Sequence, residues 1–274
     1  MPFFLSTAGL SLTLLSAAHA APRSLLHRRM EVNYVDCSDD QKTRLNTGFA
    51  DAASLARIAY DMDKSSTAFT HYLRDEDGDY ANKLWSMVAA NNDPTNAPYT
   101  FSVRCAASCT GGEAESLAIT DSAPQLDDGS YREMKICPLF FTAANTKNNL
   151  DSKKYDGDKR GSWCQKGQHF KDFETAGHTL LHEMTHLDAL AKAAGLPEHT
   201  DPTGLTSHAT DDQDPADYGN DYVVAARAFL KDWVEDPGSF PDAALKPYQN
   251  AENIAAAATE NWFIKSCGFV DISL

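Results

Sequence analysis

His182, Glu183 and His186 stand in the run Gly177-His178-Thr179-Leu180-Leu181-His182-Glu183-Met184-Thr185-His186-Leu187-Asp188, a His-Glu-x-x-His pattern. On a helix, residues four apart lie one turn above each other, so His182 and His186 present two imidazoles to one point in space. That spacing suits Zn2+, which takes imidazole nitrogens at about 2.0–2.1 Å and, in catalytic sites, three protein ligands plus an open position for water. Glu183 lies near the same face without being a ligand, where its carboxylate is the candidate general base toward a metal-activated water. The plain alternative is a helix with two satisfied histidines and a solvated glutamate. At this chain's own His and Glu frequencies, a chance match has odds on the order of one in a hundred.

The element that must position these groups is an amphipathic helix. Leu180, Met184, Leu187 and Ala191 recur at helical spacing on the face opposite the histidines, and Gly195 and Pro197 end the segment. Before it, Asp40 to Asp61 reads as a helix with Leu45, Phe49, Ala52, Ala53, Ala56 and Tyr60 on one face. Shorter helices are predicted over Thr67 to Arg74 and Tyr80 to Ala90, punctuated by Asp77-Gly78 and Asp93-Pro94. Tyr99 to Cys105, Ser116 to Thr120 and Arg132 to Cys137 favour β residues and predict a small antiparallel sheet. Leu150 to Gly167 and Pro197 to Asp214 are polar surface loops. Asp214-Pro215 reads as an N-cap and first helical position for a helix reaching about Glu235, and a last helix runs from about Asn250 to Ile264. The fold class is α+β, mostly helical, with the small sheet beside the metal helix.

Composition narrows the setting. Residues 1–20 form an apolar stretch closing on Ala18-His19-Ala20, a signal peptide with a small-x-small cleavage site. Residues 21–29, ending in Arg28-Arg29, read as a short pro-segment, which leaves 30–274 as a single domain with two lobes around a cleft. No other stretch approaches the ~20 apolar residues that cross a bilayer, so the exported protein is expected to be soluble, extracellular and free of membrane. The net charge is −15; without residues 1–29, which hold three arginines and no acid, 21 basic residues face 39 acidic ones, a net of −18. Nucleic acid is not an expected partner, because phosphate binding needs clustered positive charge. An acidic rim instead favours basic groups beside a reacting bond. Six cysteines, Cys37, Cys105, Cys109, Cys137, Cys164 and Cys267, imply three disulfides in an exported chain, with 15 possible pairings. No Asn-x-Ser/Thr sequon is present.

Two histidines leave a catalytic zinc one protein ligand short. A metzincin continuation is excluded, since Ala189 and Lys192 stand where it needs Gly and His. Glu252 or Glu260 on the last helix would serve as a glutamate ligand, with His199 and His208 as further rivals. The remaining possibility is an aspartate downstream. The stretch Asp211-Asp212-Gln213-Asp214-Pro215-Ala216-Asp217-Tyr218-Gly219 resembles the Gly-Thr-x-Asp-x-x-Tyr-Gly motif of deuterolysin-type aspzincins, secreted fungal zinc endopeptidases. The order of parts is similar too, including Cys137-Pro-Leu-Phe-Phe141 and Asn250-Ala-Glu-Asn253, so the resemblance covers most of the chain. It departs at the third ligand: the family's aspartate stands three before its tyrosine, where this chain has Pro215, and the Gly-Thr is absent. Asp214, on the same helical face as Tyr218, and Asp217 are both candidates.

The resemblance implies one Zn2+ per chain held by His182, His186 and Asp214 or Asp217, with Glu183 as general base and Tyr218 donating to the oxyanion. The expected activity is hydrolysis of protein or peptide substrates by a monomer. His178, one turn before His182, is expected at the surface or behind the site. The alternative is a secreted, surface-associated zinc-binding protein with little proteolytic activity, which the irregular third-ligand motif motivates and Glu183 argues against.

Overall fold

Ser38 opens the first long helix by a reciprocal cap: its hydroxyl accepts from the Gln41 N–H at 3.3 Å, and its own N–H donates to the Gln41 side chain at 2.8 Å. In the computed structural model, which describes residues 32–90, 101–124, 133–201, 204–241 and 244–274, this helix is α1 (Asp39–Ala59). It buries Leu45, Phe49, Ala52, Ala53 and Ala56 of the predicted stripe, but Tyr60 falls at the C-cap, where the helix has ended, and is 49% exposed. α2 (Thr67–Thr70) is one turn, shorter than expected, and α3 (Gly78–Ala90) follows. The signal peptide, the pro-segment and the Asp93-Pro94 turn lie outside the described residues.

Four strands form the main sheet: β1 (Val32–Val35), β2 (Phe101–Cys105), β3 (Ala118–Thr120) and β4 (Glu133–Ile136), in the order β1-β2-β4-β3. The class is α+β, but this sheet is mixed. β1-β2 and β2-β4 run parallel, and the antiparallel pairing is confined to β3-β4 at the edge beside the metal helix. The physical reason lies in the connections. β1 returns to β2 through α1–α3, and a crossover of that length delivers the chain parallel. Strand β1 was not foreseen; only Val32, Tyr34 and Val35 signal it. Disulfides Cys37–Cys105 and Cys109–Cys137 pin the sheet, and Cys164–Cys267 ties the last helix to the loop before the site.

The expected metal helix is two helices, α4 (Ala176–Thr185) and α5 (Asp188–Ala193). Leu187 is extended (φ −74°, ψ 109°), and the Thr185 carbonyl accepts the Thr210 N–H at 3.1 Å, so it is used by a loop instead of the next helical turn. A two-stranded antiparallel ribbon, β5 (His199–Thr200) with β6 (Thr206–Ser207), crosses the region read as loop. Asp214 does not open the next helix. Asp221 caps α6 (Tyr222–Glu235) by accepting from Val224 N–H at 3.0 Å, and Ala216–Tyr218 make only a 3-10 turn closed by Gly219 at φ +68°.

α7 (Ala251–Cys267) runs through the middle of the molecule with almost no solvent face. Ala255 to Ala258 are all 0% exposed and let α1, α2, α4 and α6 pack closely against it. α1 and α4 also meet closely, through Gly177. A Cβ there would lie 2.5 Å from Asp51 Cβ and 3.1 Å from the Ala52 backbone nitrogen.

Candidate metal centre

α4 carries the two histidines because Thr175 caps it, its hydroxyl accepting from the His178 N–H at 3.4 Å, while Leu180, Leu181 and Met184 bury its other side. The imidazoles face each other across one turn, with Nε2 atoms 3.2 Å apart. Asp212 completes the triangle: its Oδ1 is 3.1 Å from His182 Nε2 and 3.5 Å from His186 Nε2. Three donors bound tetrahedrally at about 2.0–2.1 Å would stand roughly 3.3 Å from one another, so this donor set fits a zinc ion in both chemistry and spacing.

Each imidazole is held from behind. His182 Nδ1 is 2.9 Å from Glu252 Oε2, and His186 Nδ1 is 2.7 Å from the Thr210 carbonyl oxygen. Both partners are acceptors, so each Nδ1 carries a hydrogen, and Nε2 is the atom each ring would offer to a metal. Glu252 also meets His178, whose Nε2 is 3.2 Å from its Oε1 and whose Nδ1 is 2.9 Å from Thr259 Oγ1. His178 is thus buried behind the centre.

Asp212 is placed by bonds on both sides of it. Asp211 N–H donates to the Gln249 carbonyl, Ala251 N–H donates to the Asp211 carbonyl, and Gln213 N–H donates to Asn250 Oδ1. The start of α7 therefore fixes the segment that brings Asp212 to α4.

Glu183 is buried and accepts from Thr120 Oγ1 at 2.7 Å. Burial pushes its carboxyl above the usual range against the pull of His182 and His186. For Asp212, removal from bulk water works upward, yet His186 and His182 hold its carboxyl well below that range. Glu252 behaves alike: burial opposes its charge, but His178 and His182 bring it down to about 2.

The sequence candidates divide accordingly. His182 and His186 converge, with Glu183 beside them. Asp214 and Asp217 do not join them: Asp214 Oδ1 accepts from Ala216 N–H at 2.9 Å, and Asp217 is exposed in the 3-10 turn. The i, i+4 argument for Asp214 assumed a helix that does not form. Glu252 faces the wrong nitrogen of His182 to share a metal with it, and Glu260 pairs with Arg227 at 2.7 Å and His71 at 2.7 Å. His199 and His208 are engaged by Asp211 and Asp188. Tyr218 is half-buried and does not line the cavity, whereas Tyr222 does, its ring edge-on to His182 with centroids 6.0 Å apart.

That cavity, about 670 Å³, is lined by Gly112, Glu115–Ala118, His178, Thr179, His182, Glu183, Asp221 and Tyr222, among others. Glu115, Glu174 and Asp221 add carboxyl groups to its lining, and Lys171 one cation. Burial raises the Glu174 carboxyl to about 7, opposed by His178.

No family model matches the chain, and no curated protein matches it. Among solved structures, it is similar to a zinc peptidase from Grifola frondosa, over 82% of this chain and 98% of that one, at 14% identity and a TM-score of 0.47. That likeness is too distant to assign a family or an activity.

Proposed function

We propose that this protein is a secreted zinc-dependent endopeptidase, with His182, His186 and Asp212 as zinc ligands and Glu183 as general base. One observation carries the reading: three donor atoms of the right kinds converge at 3.1–3.5 Å with a buried glutamate alongside. Bound zinc would polarise a carbonyl and make water a stronger acid. The three disulfides fit an exported protein.

The residues then divide the work. Glu252 and Thr210 orient the ligand imidazoles and fix their tautomers. Glu183, with its carboxyl raised by burial, takes a proton from the attacking water; as the C–O bond forms and the C–N bond breaks, it returns that proton to the leaving nitrogen. Tyr222 takes the oxyanion role expected of Tyr218. Although it is 43% exposed, partial removal from water raises its phenol above the ordinary value, so it stands protonated as a donor. β3 is the sheet's edge, and its backbone beside the cavity offers an extended peptide a strand to pair with. The lining carboxyl groups Glu115, Glu174 and Asp221 outnumber Lys171, which favours a basic side chain next to the cleaved bond.

The test is zinc stoichiometry with casein and mixed-peptide cleavage for the wild type and four variants. One zinc and chelator-sensitive cleavage are expected in the wild type. Glu183→Gln keeps zinc and loses cleavage, Asp212→Ala loses zinc, and Asp214→Ala and Asp217→Ala keep both. Cleavage retained in Glu183→Gln refutes the mechanism. Zinc without cleavage in the wild type transfers the protein to the zinc-binding alternative.

A further inference from the structure

We infer that Thr120 is a positioning residue for the general base; this rests on the endopeptidase reading above. Its hydroxyl donates to Glu183 Oε2 at 2.7 Å, the one hydrogen bond to that carboxylate among the described residues. Oε1 is left to exchange the proton. The need for such a bond follows from the surroundings. Glu183 follows His182 directly on α4, one turn before His186, and lines the same cavity as His182. A glutamate free to turn would close on the point where the imidazoles converge and act as a further ligand instead of a base. The Thr120 hydroxyl pulls the carboxylate toward the sheet and keeps it off that point.

The hydroxyl is also rigidly mounted. Thr120 ends β3 opposite Met134, which is 0% exposed, and Ala118 pairs with Ile136. Disulfide Cys109–Cys137 ties the chain before β3 to the end of β4, and Cys137 N–H donates to the Leu117 carbonyl at 3.0 Å. Ala118, two residues earlier and on the same face, lines the cavity. One short strand thus borders the substrate space and holds the base.

The experiment compares Thr120→Val, Thr120→Ser, Glu183→Gln and the Thr120→Val/Glu183→Gln double variant. Since misplacing a catalytic group by about 1 Å costs ~100-fold, Thr120→Val is expected to lower kcat roughly 10- to 100-fold with KM within about twofold, zinc stoichiometry unchanged. Thr120→Ser should restore kcat to within about threefold. In the Glu183→Gln background, which does not cleave, the valine should leave peptide-hydroxamate affinity unchanged, because the carboxylate it serves is gone. Binding of a peptide hydroxamate, read by calorimetry, should weaken about tenfold in Thr120→Val. Wild-type kcat in Thr120→Val, or hydroxamate binding weaker in the double variant than in Glu183→Gln, overturns the inference. Should the valine variant not fold, Thr120→Ala carries the same comparison. A wild type that binds zinc and cleaves nothing would defeat the endopeptidase reading instead, so the two failures are separable.

Discussion

Glu252→Gln probes how the interior supports the centre. The carboxylate lies almost wholly out of solvent, 2.9 Å from His182 Nδ1 and 3.2 Å from His178 Nε2. Glutamine keeps its shape and removes its charge. A hydrogen bond to a charged group contributes about 1.5–3 kcal/mol against about 1 for a neutral one, so the imidazole loses roughly 1–2 kcal/mol of support. At 1.4 kcal/mol per decade, zinc should bind roughly tenfold more weakly, the lower end of the 10- to 100-fold range usual for such partners. Glu252→Ala strands two buried ring N–H groups and should also cost about 3–5 kcal/mol of stability.

The pH dependence has a definite sign. Glu252 titrates at about 2 in the folded protein against 4.5 ordinarily. Its contribution is therefore full above about 4.5 and lost as pH falls toward 2, and the stability gap between wild type and glutamine variant should close over that window. The assays are chelator competition for the zinc affinity and thermal unfolding with and without zinc. Wild-type zinc affinity in Glu252→Gln would refute the supporting role. Complete loss of stoichiometric zinc would make Glu252 a ligand and overturn the geometry drawn from its side of the ring.

Two further expectations concern stability. Gly177→Ala gains helix propensity of about 1 kcal/mol but drives a Cβ to 2.5 Å from Asp51 Cβ. It should destabilise by about 1–3 kcal/mol net and lower cleavage by tilting α4, and an unchanged Tm would disprove the close crossing. Burial raises the Asp51 carboxyl from 3.8 to about 7, against the Leu150 N–H it accepts at 2.7 Å. Stability should therefore fall as pH rises from about 4 to 7, and Asp51→Asn should raise Tm at pH 8 while leaving it nearly unchanged at pH 4; an equal effect at both would show that Asp51 is not the titrating group.

What was legible in the sequence was local. His182, Glu183 and His186 are placed by the period of one helix, and most of the α1 stripe and the extent of α7 carry equally local signals. Asp212 was not legible, because its position is fixed by Asp211, Gln213 and Asn250 bonding across 37 residues of sequence. A helical count from Tyr218 pointed to Asp214 because Pro215 looked like a first helical residue, whereas Gly219 at positive φ stops the turn and Asp221 starts the helix afresh. The break after Thr185 was hidden for the same reason: the Thr210 N–H that bonds the Thr185 carbonyl, and the Thr210 hydroxyl that meets the Thr185 hydroxyl, come from 25 residues away. His178 looked like a surface histidine because its partner, Glu252, sits on the last helix. The parallel pairing of β1 and β2 was equally a matter of what connects them.

The all-round burial of α7 bears on when the protein acquires its chemistry. This helix follows the other described elements in sequence, yet α1, α2, α4 and α6 all rest on it, and its first turn holds both His182 and the segment with Asp212. During synthesis the earlier helices have nothing to close around, and the three donors have no common destination, until α7 has been made. Assembly of the centre is thereby deferred: the donors converge only once this helix is available to the elements that precede it.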